Sequence, residues 1–221
     1  MKMSWKREIL GIAVLAALVI ISIHYYPILP ARMPSHFDFQ GKVNGWTGKN
    51  AFFVMWGAII ILTYLLISFL PFIDPLRKKI EPKFKILLII RDVMLVVFAV
   101  IFIMSINAAL GGKTYVNYMG VLLGILLVVL GNYMPKFPQN WFIGIKTPWT
   151  ISSEIVWKKT HILGGWMFTA AGFLYVVAAL LKMSPTISLI VVLLAAFIPV
   201  GYSFILYKRL QKPKVPGRSV E

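Results

Sequence analysis

In a chain of 221 residues, 59% hydrophobic content and a mean hydropathy of +0.82 exclude a soluble domain built around one large core. Apolar runs of about eighteen residues or more recur, which marks transmembrane helices. The formal charge of +16 would suggest nucleic acid in a soluble protein, but membrane proteins gather Lys and Arg in cytoplasmic loops, so no direct nucleic-acid partner is implied; the absence of cysteine excludes disulfides and thiolate metal sites.

Residues 1–8, MKMSWKRE, are short and basic, and an apolar run follows from Ile9 to about Tyr26. This beginning imitates a secretory signal. The run is longer than a usual signal core and no small-x-small cleavage site follows it, so a retained signal anchor is expected. Residues 27–50 form the first connector, stiffened by Pro27, Pro30 and Pro34. From Ser35 to Gln40 the pattern alternates as in a short strand, with His36, Asp38 and Gln40 on one side and Phe37 and Phe39 on the other. Gly41, Asn44-Gly45 and Gly48 read as turn residues.

A second span is expected from about Ala51 to Phe72, then a basic connector at 73–85, IDPLRKKIEPKFK. The third span runs from about Ile86 to Leu110 with Arg91-Asp92 in its first turns. Adjacent residues point in different directions on a helix, so an ion pair to a neighbouring helix is the default there. After a tight turn at 111–115, the fourth span covers about Val116 to Tyr133. It contains Gly120-x-x-x-Gly124, a spacing that lets another helix approach closely.

The stretch Gly131 to Gly165, GNYMPKFPQNWFIGIKTPWTISSEIVWKKTHILGG, is the longest polar interruption in the second half of the chain. With Trp166 at its edge it holds four of the seven tryptophans, and it holds three of the thirteen prolines. Tryptophan collects at membrane–water boundaries, so this loop should lie along or dip into the membrane surface. Pro135 and Pro138 hold its start extended. Gly144 permits a tight turn or close backbone approach, and Thr147-Pro148-Trp149-Thr150 reads as another extended or turn piece. From Ser152-Ser153-Glu154 the pattern is helical, with hydroxyls at the N-cap and a carboxylate in the first turn. Glu154 and Lys158 stand one turn apart and can pair, as do Trp157 and His161. The helix should run unbroken into a fifth span from about His161 to Leu181. A turn at Lys182 to Pro185 precedes a sixth span from about Thr186 to Tyr207, and residues 208–221 form a basic tail.

Seventeen Lys and Arg fall on the side of the amino terminus, the 73–85 connector, residues 134–160 and the tail, against five on the other. That split predicts both termini in the cytoplasm, with the 131–165 loop inside and the 27–50 loop outside. His24, His36, Asp38 and His161 are the polar candidates for a metal. His161 lies across the membrane from His36, and no H-E-x-x-H is present, so no metal or cofactor is expected. Ser105, Asn107 and Asn117 read as interhelical hydrogen bonds or end groups. Gly120, Gly124, Gly164 and Gly165 read as helix-packing positions. Asn132, Asn140, Lys146, Thr147, Glu154 and His161 together make a folded polar surface, suited either to binding a partner or to capping the bundle.

Gly131-Asn132-Tyr133-Met134-Pro135-Lys136, then Asn140 through Thr150, then Trp157, Thr160-His161 and Gly164-Gly165 resemble the signature of the SdpI family of bacterial membrane immunity proteins. Leu29-Pro30, Arg32, Pro34, His36-Phe37, Gly41 and Gly45-Trp46 resemble the amino-terminal domain often found ahead of it. One departure is Lys146, where the family usually carries Arg; the charge survives but planar bidentate recognition does not. The resemblance implies protection from a secreted, membrane-active killing peptide, and in some relatives capture of a cytoplasmic transcriptional repressor.

The expected architecture is therefore an all-α integral membrane protein of six transmembrane helices in the lipid bilayer. Its parts would be a two-helix membrane domain at 1–72, a linker at 73–85, a four-helix domain at 86–207 and a tail at 208–221. Candidate partner-binding residues on the cytoplasmic loop at 134–160 are Asn132, Pro135, Asn140, Gly144, Lys146, Thr147, Pro148, Trp149, Trp157 and His161. Candidate toxin-recognition residues on the outer loop at 27–50 are Pro34, His36, Phe37, Asp38, Gly41, Gly45 and Trp46. No catalytic residue is assigned. The alternatives are a small transporter or channel, which needs a polar lumen, and a membrane enzyme built on Asn132, Glu154 and His161.

Overall fold

The computed structural model describes residues 5–37, 43–112 and 116–211. Asp38, Phe39, Gln40 and Gly41, part of the 111–115 turn, the Asn117 side chain and the tail from 212 lie outside the described residues. The elements are α1 (Trp5–Tyr25), β1 (Arg32–Phe37), β2 (Val43–Gly48), α2 (Lys49–Ile73), α3 (Arg77–Ile80), α4 (Phe84–Ala109), α5 (Val116–Tyr133), α6 (Pro148–Ser152), α7 (Glu154–Leu180) and α8 (Pro185–Gln211). Single 3-10 turns at Glu81–Lys83 and Met134–Lys136 join α3 to α4 and close α5. Six helical segments are long and apolar enough to cross a bilayer, making this a multi-pass, almost wholly helical membrane protein.

The outer connector departs from its sequence reading. The strand begins at Arg32, three residues before the expected Ser35, and pairs antiparallel with a second strand where turns were expected. Gly45 and Gly48 lie within that second strand, and Gly45 sits opposite His36 at an irregular step in the register. A Cβ on Gly45 would stand 2.8 Å from the His36 Cβ, so glycine serves close approach there and not chain reversal. The hairpin is tied to the bundle: Lys49 N–H donates to Ala31 O at 2.9 Å, and Lys49 Nζ donates to the carbonyls of Tyr26 and Leu29 at 3.1 Å each.

Met33 of β1 is fully buried in a core with Leu29, Phe52, Trp56, Leu95, Phe102 and Ile106. Phe52 and Phe102 stack there with ring centroids 5.7 Å apart. This core fixes the hairpin over the late turns of α4. The first turns of α4 join a second core, in which Ile80, Phe84, Leu87 and Leu88 meet Ile67, Phe72 and Ile143. From Phe84 to Ile106 is about 33 Å along the helix, roughly a hydrocarbon thickness. The hairpin thus lies at one end of the bundle, and the 73–85 connector and the 131–165 loop lie together at the other. By packing, α4 goes with α1 and α2, although the sequence places it beyond the 73–85 linker.

A buried polar knot holds α1, α2 and α4 together. The fully buried Arg91 donates from Nη1 to Glu8 Oε2 at 2.6 Å and to Ser68 Oγ at 2.8 Å. From Nη2 it donates to Arg7 O at 3.1 Å. Tyr64 OH donates to the same Glu8 oxygen at 2.8 Å. The ion pair to a neighbouring helix is present, but Arg91 also folds back on its own neighbour, with Nε and Nη2 at 2.9 and 2.8 Å from Asp92 Oδ1. Glu8, read as part of a basic terminal segment, is a buried residue of α1, which starts at Trp5 and not at Ile9.

The second group of helices packs through small residues. A Cβ on Gly124 would stand 2.8 Å from Gly172 O, and one on Gly165 would stand 2.8 Å from Gly131 O. At Gly120 the near neighbour is the Ala179 Cβ at 2.6 Å, and at Gly164 it is Met134 Sδ at 2.6 Å. Backbones of α5 and α7 therefore touch along their length, the close approach that glycine permits inside a bilayer.

Candidate functional site

The loop from Met134 to Ser153 is a compact structure held by its own polar side chains. Asn140, nearly wholly buried, acts as its pin. Its Nδ2 donates to Pro138 O at 2.9 Å and Ile143 O at 2.8 Å, and its Oδ1 accepts from the N–H groups of Phe142 at 2.9 Å and Ile143 at 2.7 Å. One side chain thus satisfies four backbone groups of a tight turn that no helix or sheet could satisfy.

The turn then passes Gly144, whose φ of +122° favours glycine. A Cβ there would stand 2.5 Å from His161 Nε2 and 3.2 Å from Trp157. That space is needed because the buried His161 receives the chain: its Nε2 accepts from Ile145 N–H at 3.1 Å while Nδ1–H donates to Trp157 O at 2.8 Å. These partners assign the neutral Nδ1–H tautomer. Trp157 stacks on His161 at 4.0 Å between centroids, and its Nε1 donates to Phe137 O at 3.0 Å.

The segment expected to be extended at Thr147 to Thr150 is instead the short helix α6. Thr147 caps it and Thr150 returns the bond, Thr147 N–H donating to Thr150 Oγ1 at 2.8 Å. Pro148 stands at the first helical position, where its fixed φ suits a helix start as well as an extended chain. Trp149 Nε1 donates to Ser203 Oγ and its ring meets Phe204 edge-on at 5.2 Å, which joins α6 to α8. Ser153 then caps α7, accepting from Val156 N–H, and α7 runs unbroken through His161 into the span.

The 73–85 connector is the other half of this structure, and the sequence reading did not find it. Buried Asp74 accepts from Leu76 N–H through Oδ1 at 2.7 Å and from Trp141 N–H through Oδ2 at 2.8 Å. Lys79 Nζ donates to Gln139 Oε1 at 2.9 Å, and Gln139 Nε2 donates to the carbonyls of Thr150 and Ile151. Lys79 also forms an ion pair with Glu154 at 2.5 Å, so the expected Glu154–Lys158 pair does not form. A cation and a carboxylate one turn apart could have signalled that local pair; nothing local could signal the partner 75 residues away.

The candidate residues therefore divide. Asn140, Trp157 and His161 are buried and occupied in folding the loop, with Gly144 making room for the last two; Thr147 and Trp149 are half-buried. Asn132, Pro135, Lys146 and Pro148 are exposed. Lys146 Nζ donates to Phe142 O at 2.9 Å from the surface. Trp141 is 51% exposed, as a ring at a membrane boundary would be, and Trp166 is 73% exposed on the outer side of α7, while Trp157 is buried. Both ring nitrogens of His161 are hydrogen-bonded within the protein, to Trp157 O and Ile145 N–H, and Glu154 is ion-paired to Lys79. Among the described residues no group of three His, Asp or Glu side chains could hold a metal ion.

At the other end, His36 Nδ1 and Asn44 Oδ1 are hydrogen-bonded across the hairpin. Pro34 is buried and Phe37 half-buried, whereas Trp46 is 54% exposed.

Hairpin, knot, glycine-packed helix pair and pinned loop define a class: multi-pass membrane proteins with a hairpin at one end of the bundle and a hydrogen-bonded polar cap at the other. Residues 136–203 match the SdpI/YfhL protein family, and residues 13–62 match a domain of unknown function, DUF1648. The Immunity protein SdpI of Bacillus subtilis (strain 168) is 26% identical over 211 residues, covering 93% of this chain and 98% of that protein. These likenesses agree with the resemblance of the 131–165 stretch to the SdpI family signature. No solved structure matches the chain.

Proposed function

We propose that this protein is a membrane immunity protein that protects its cell from a secreted, membrane-active peptide. The observation that carries this is the end-to-end likeness to an immunity protein, which takes in both the hairpin-bearing and the loop-bearing parts of the chain. In this reading both termini are cytoplasmic, the hairpin faces the side from which the peptide arrives, and Trp46 with its neighbours meets it. The pinned loop then faces the cytoplasm, where its exposed Lys146 and Trp141 present charge and apolar area to a soluble partner, a transcriptional repressor. The activity is binding, with no catalytic step.

The test is survival of a toxin-sensitive host expressing the protein, with membrane abundance measured in parallel. Replacing Trp46 and Phe37 by Ala lowers survival at unchanged abundance. Lys146→Glu lowers capture of the cytoplasmic partner and largely spares survival. A wild-type protein that is abundant in the membrane and gives no protection against any secreted peptide of this class refutes the reading.

A further inference from the structure

Helix α7 is too long for the bilayer it crosses. Its 27 residues span about 40 Å, against a hydrocarbon core of about 30 Å. Ile155, Lys159, Ile162, Trp166, Phe173 and Leu180 are all exposed, and at 3.6 residues per turn they fall within about 60° of one another. They make one outward stripe running the whole helix, apolar except at Lys159. With Leu180 set at one edge of the hydrocarbon core, Lys159 lies about 32 Å along the axis, or about 30 Å after an average tilt, which is the opposite edge, from where its side chain reaches up to the phosphates. Ile155 lies about 6 Å beyond it, within the headgroup layer. A lysine with apolar neighbours on both sides of it, along a stripe that faces lipid, meets headgroups and not bulk water.

The charge around it is uncompensated. Glu154 is the only carboxylate on either α7 or α8, and it is turned to Lys79. Among the described residues neither Lys158 nor Lys159 has an ion-pair partner. Trp149, just ahead of α7, touches Ser203 and Phe204, so the end of α8 lies beside the start of α7, and it adds exposed Arg209 and exposed Lys208, whose Nζ stands 5.7 Å from the Phe204 ring centre.

We propose that Lys158 and Lys159 of α7, with Lys208 and Arg209 of α8, form a site for the headgroup of an anionic phospholipid. The site is independent of the immunity reading and needs only that the protein spans a bilayer. Bound lipid holds the start of α7, and hence His161 and the pinned loop, at a fixed depth.

The test uses the full chain purified in detergent, with bound lipid counted by native mass spectrometry after titration with phosphatidylglycerol or phosphatidylcholine. Wild type prefers phosphatidylglycerol, and Lys158→Gln with Lys159→Gln lowers that preference about tenfold. Lys85→Gln, an exposed lysine on α4, changes it less than about twofold. Equal thermal midpoints in phosphatidylcholine establish that the double variant is folded. An unchanged preference overturns the proposal, as does an equal loss in Lys85→Gln, which would mean diffuse charge. Displacement of the lipid by millimolar inorganic phosphate would assign the cluster to free anions. Loss of a captured cytosolic protein with lipid preference intact would assign it to a protein. Either result is a refutation.

Discussion

Asn140 offers the sharpest test of the loop. Asn140→Ala removes four hydrogen bonds at once and leaves Pro138 O, Ile143 O and the N–H groups of Phe142 and Ile143 without their partner. A buried backbone group left unpaired costs about 1–3 kcal/mol. These four are only partly buried and water can recover some of the loss, so about 2–4 kcal/mol for the set is expected. The loss should appear as local opening between Met134 and Ser153 before the bundle melts, because the helices have their own cores. Such a change raises the open population roughly 30- to 800-fold. With reclosing faster than cleavage, trypsin should cut at Lys146 faster by the same factor. Asn140→Asp keeps both acceptor bonds and loses both donor bonds, so it should fall between. A cleavage rate at Lys146 within about twofold of wild type in Asn140→Ala would refute the pinning argument.

Three further perturbations test other links. Gly144→Ala combines a strained φ with a Cβ 2.5 Å from His161 Nε2; a cost of about 2–3 kcal/mol and faster amide exchange at Ile145 are expected. Glu8→Gln weakens the counter-ion of a fully buried guanidinium, and Arg91→Met strands Glu8. Each single change should cost up to about 3–5 kcal/mol in thermal unfolding, while Glu8→Leu with Arg91→Met should recover most of it; a stable Arg91→Met single variant would contradict the role given to the pair. For orientation, the cysteine-free chain permits clean labelling. Cysteines at Arg32 and Met183 should react with an impermeant maleimide on intact cells, and those at Lys146 and Lys159 only after permeabilisation.

What the sequence made legible was whatever is encoded locally. The α5 bounds, the Ser153 cap and the unbroken passage of α7 into the membrane follow from apolar run length, a hydroxyl before a carboxylate and the absence of a breaker. Residues with two local meanings misled it. Pro148 suits an extended chain and a first helical turn equally, and only the reciprocal Thr147–Thr150 bonds decide between them. Gly45 suits a turn and a close strand approach equally, and only the His36 opposite it decides. Pairings between distant connectors had no local signature at all. Arg91 finds Glu8 83 positions away, and Trp141 finds Asp74 67 positions away.

This division bears on how the signature should be dissected. Its most unusual residues, Asn140, Gly144, Trp157 and His161, are spent on holding the loop together and do not present a surface to a partner. Substituting them will disturb whatever the loop does, whether or not they touch anything: loss of Asn140, Trp157 or His161 leaves backbone groups unpaired, and a side chain at Gly144 collides with His161. Contact with a partner must instead come from side chains that the folded loop leaves exposed, Trp141 and Lys146 among them. Lys146 fits this division. A lysine that leans on Phe142 O from the surface carries no fold-determining geometry, because it satisfies one carbonyl that water also reaches. Whatever Lys146 does for function it does by charge at a surface. A change to Glu there should therefore alter binding and leave trypsin resistance of the loop elsewhere intact, which buried positions cannot do.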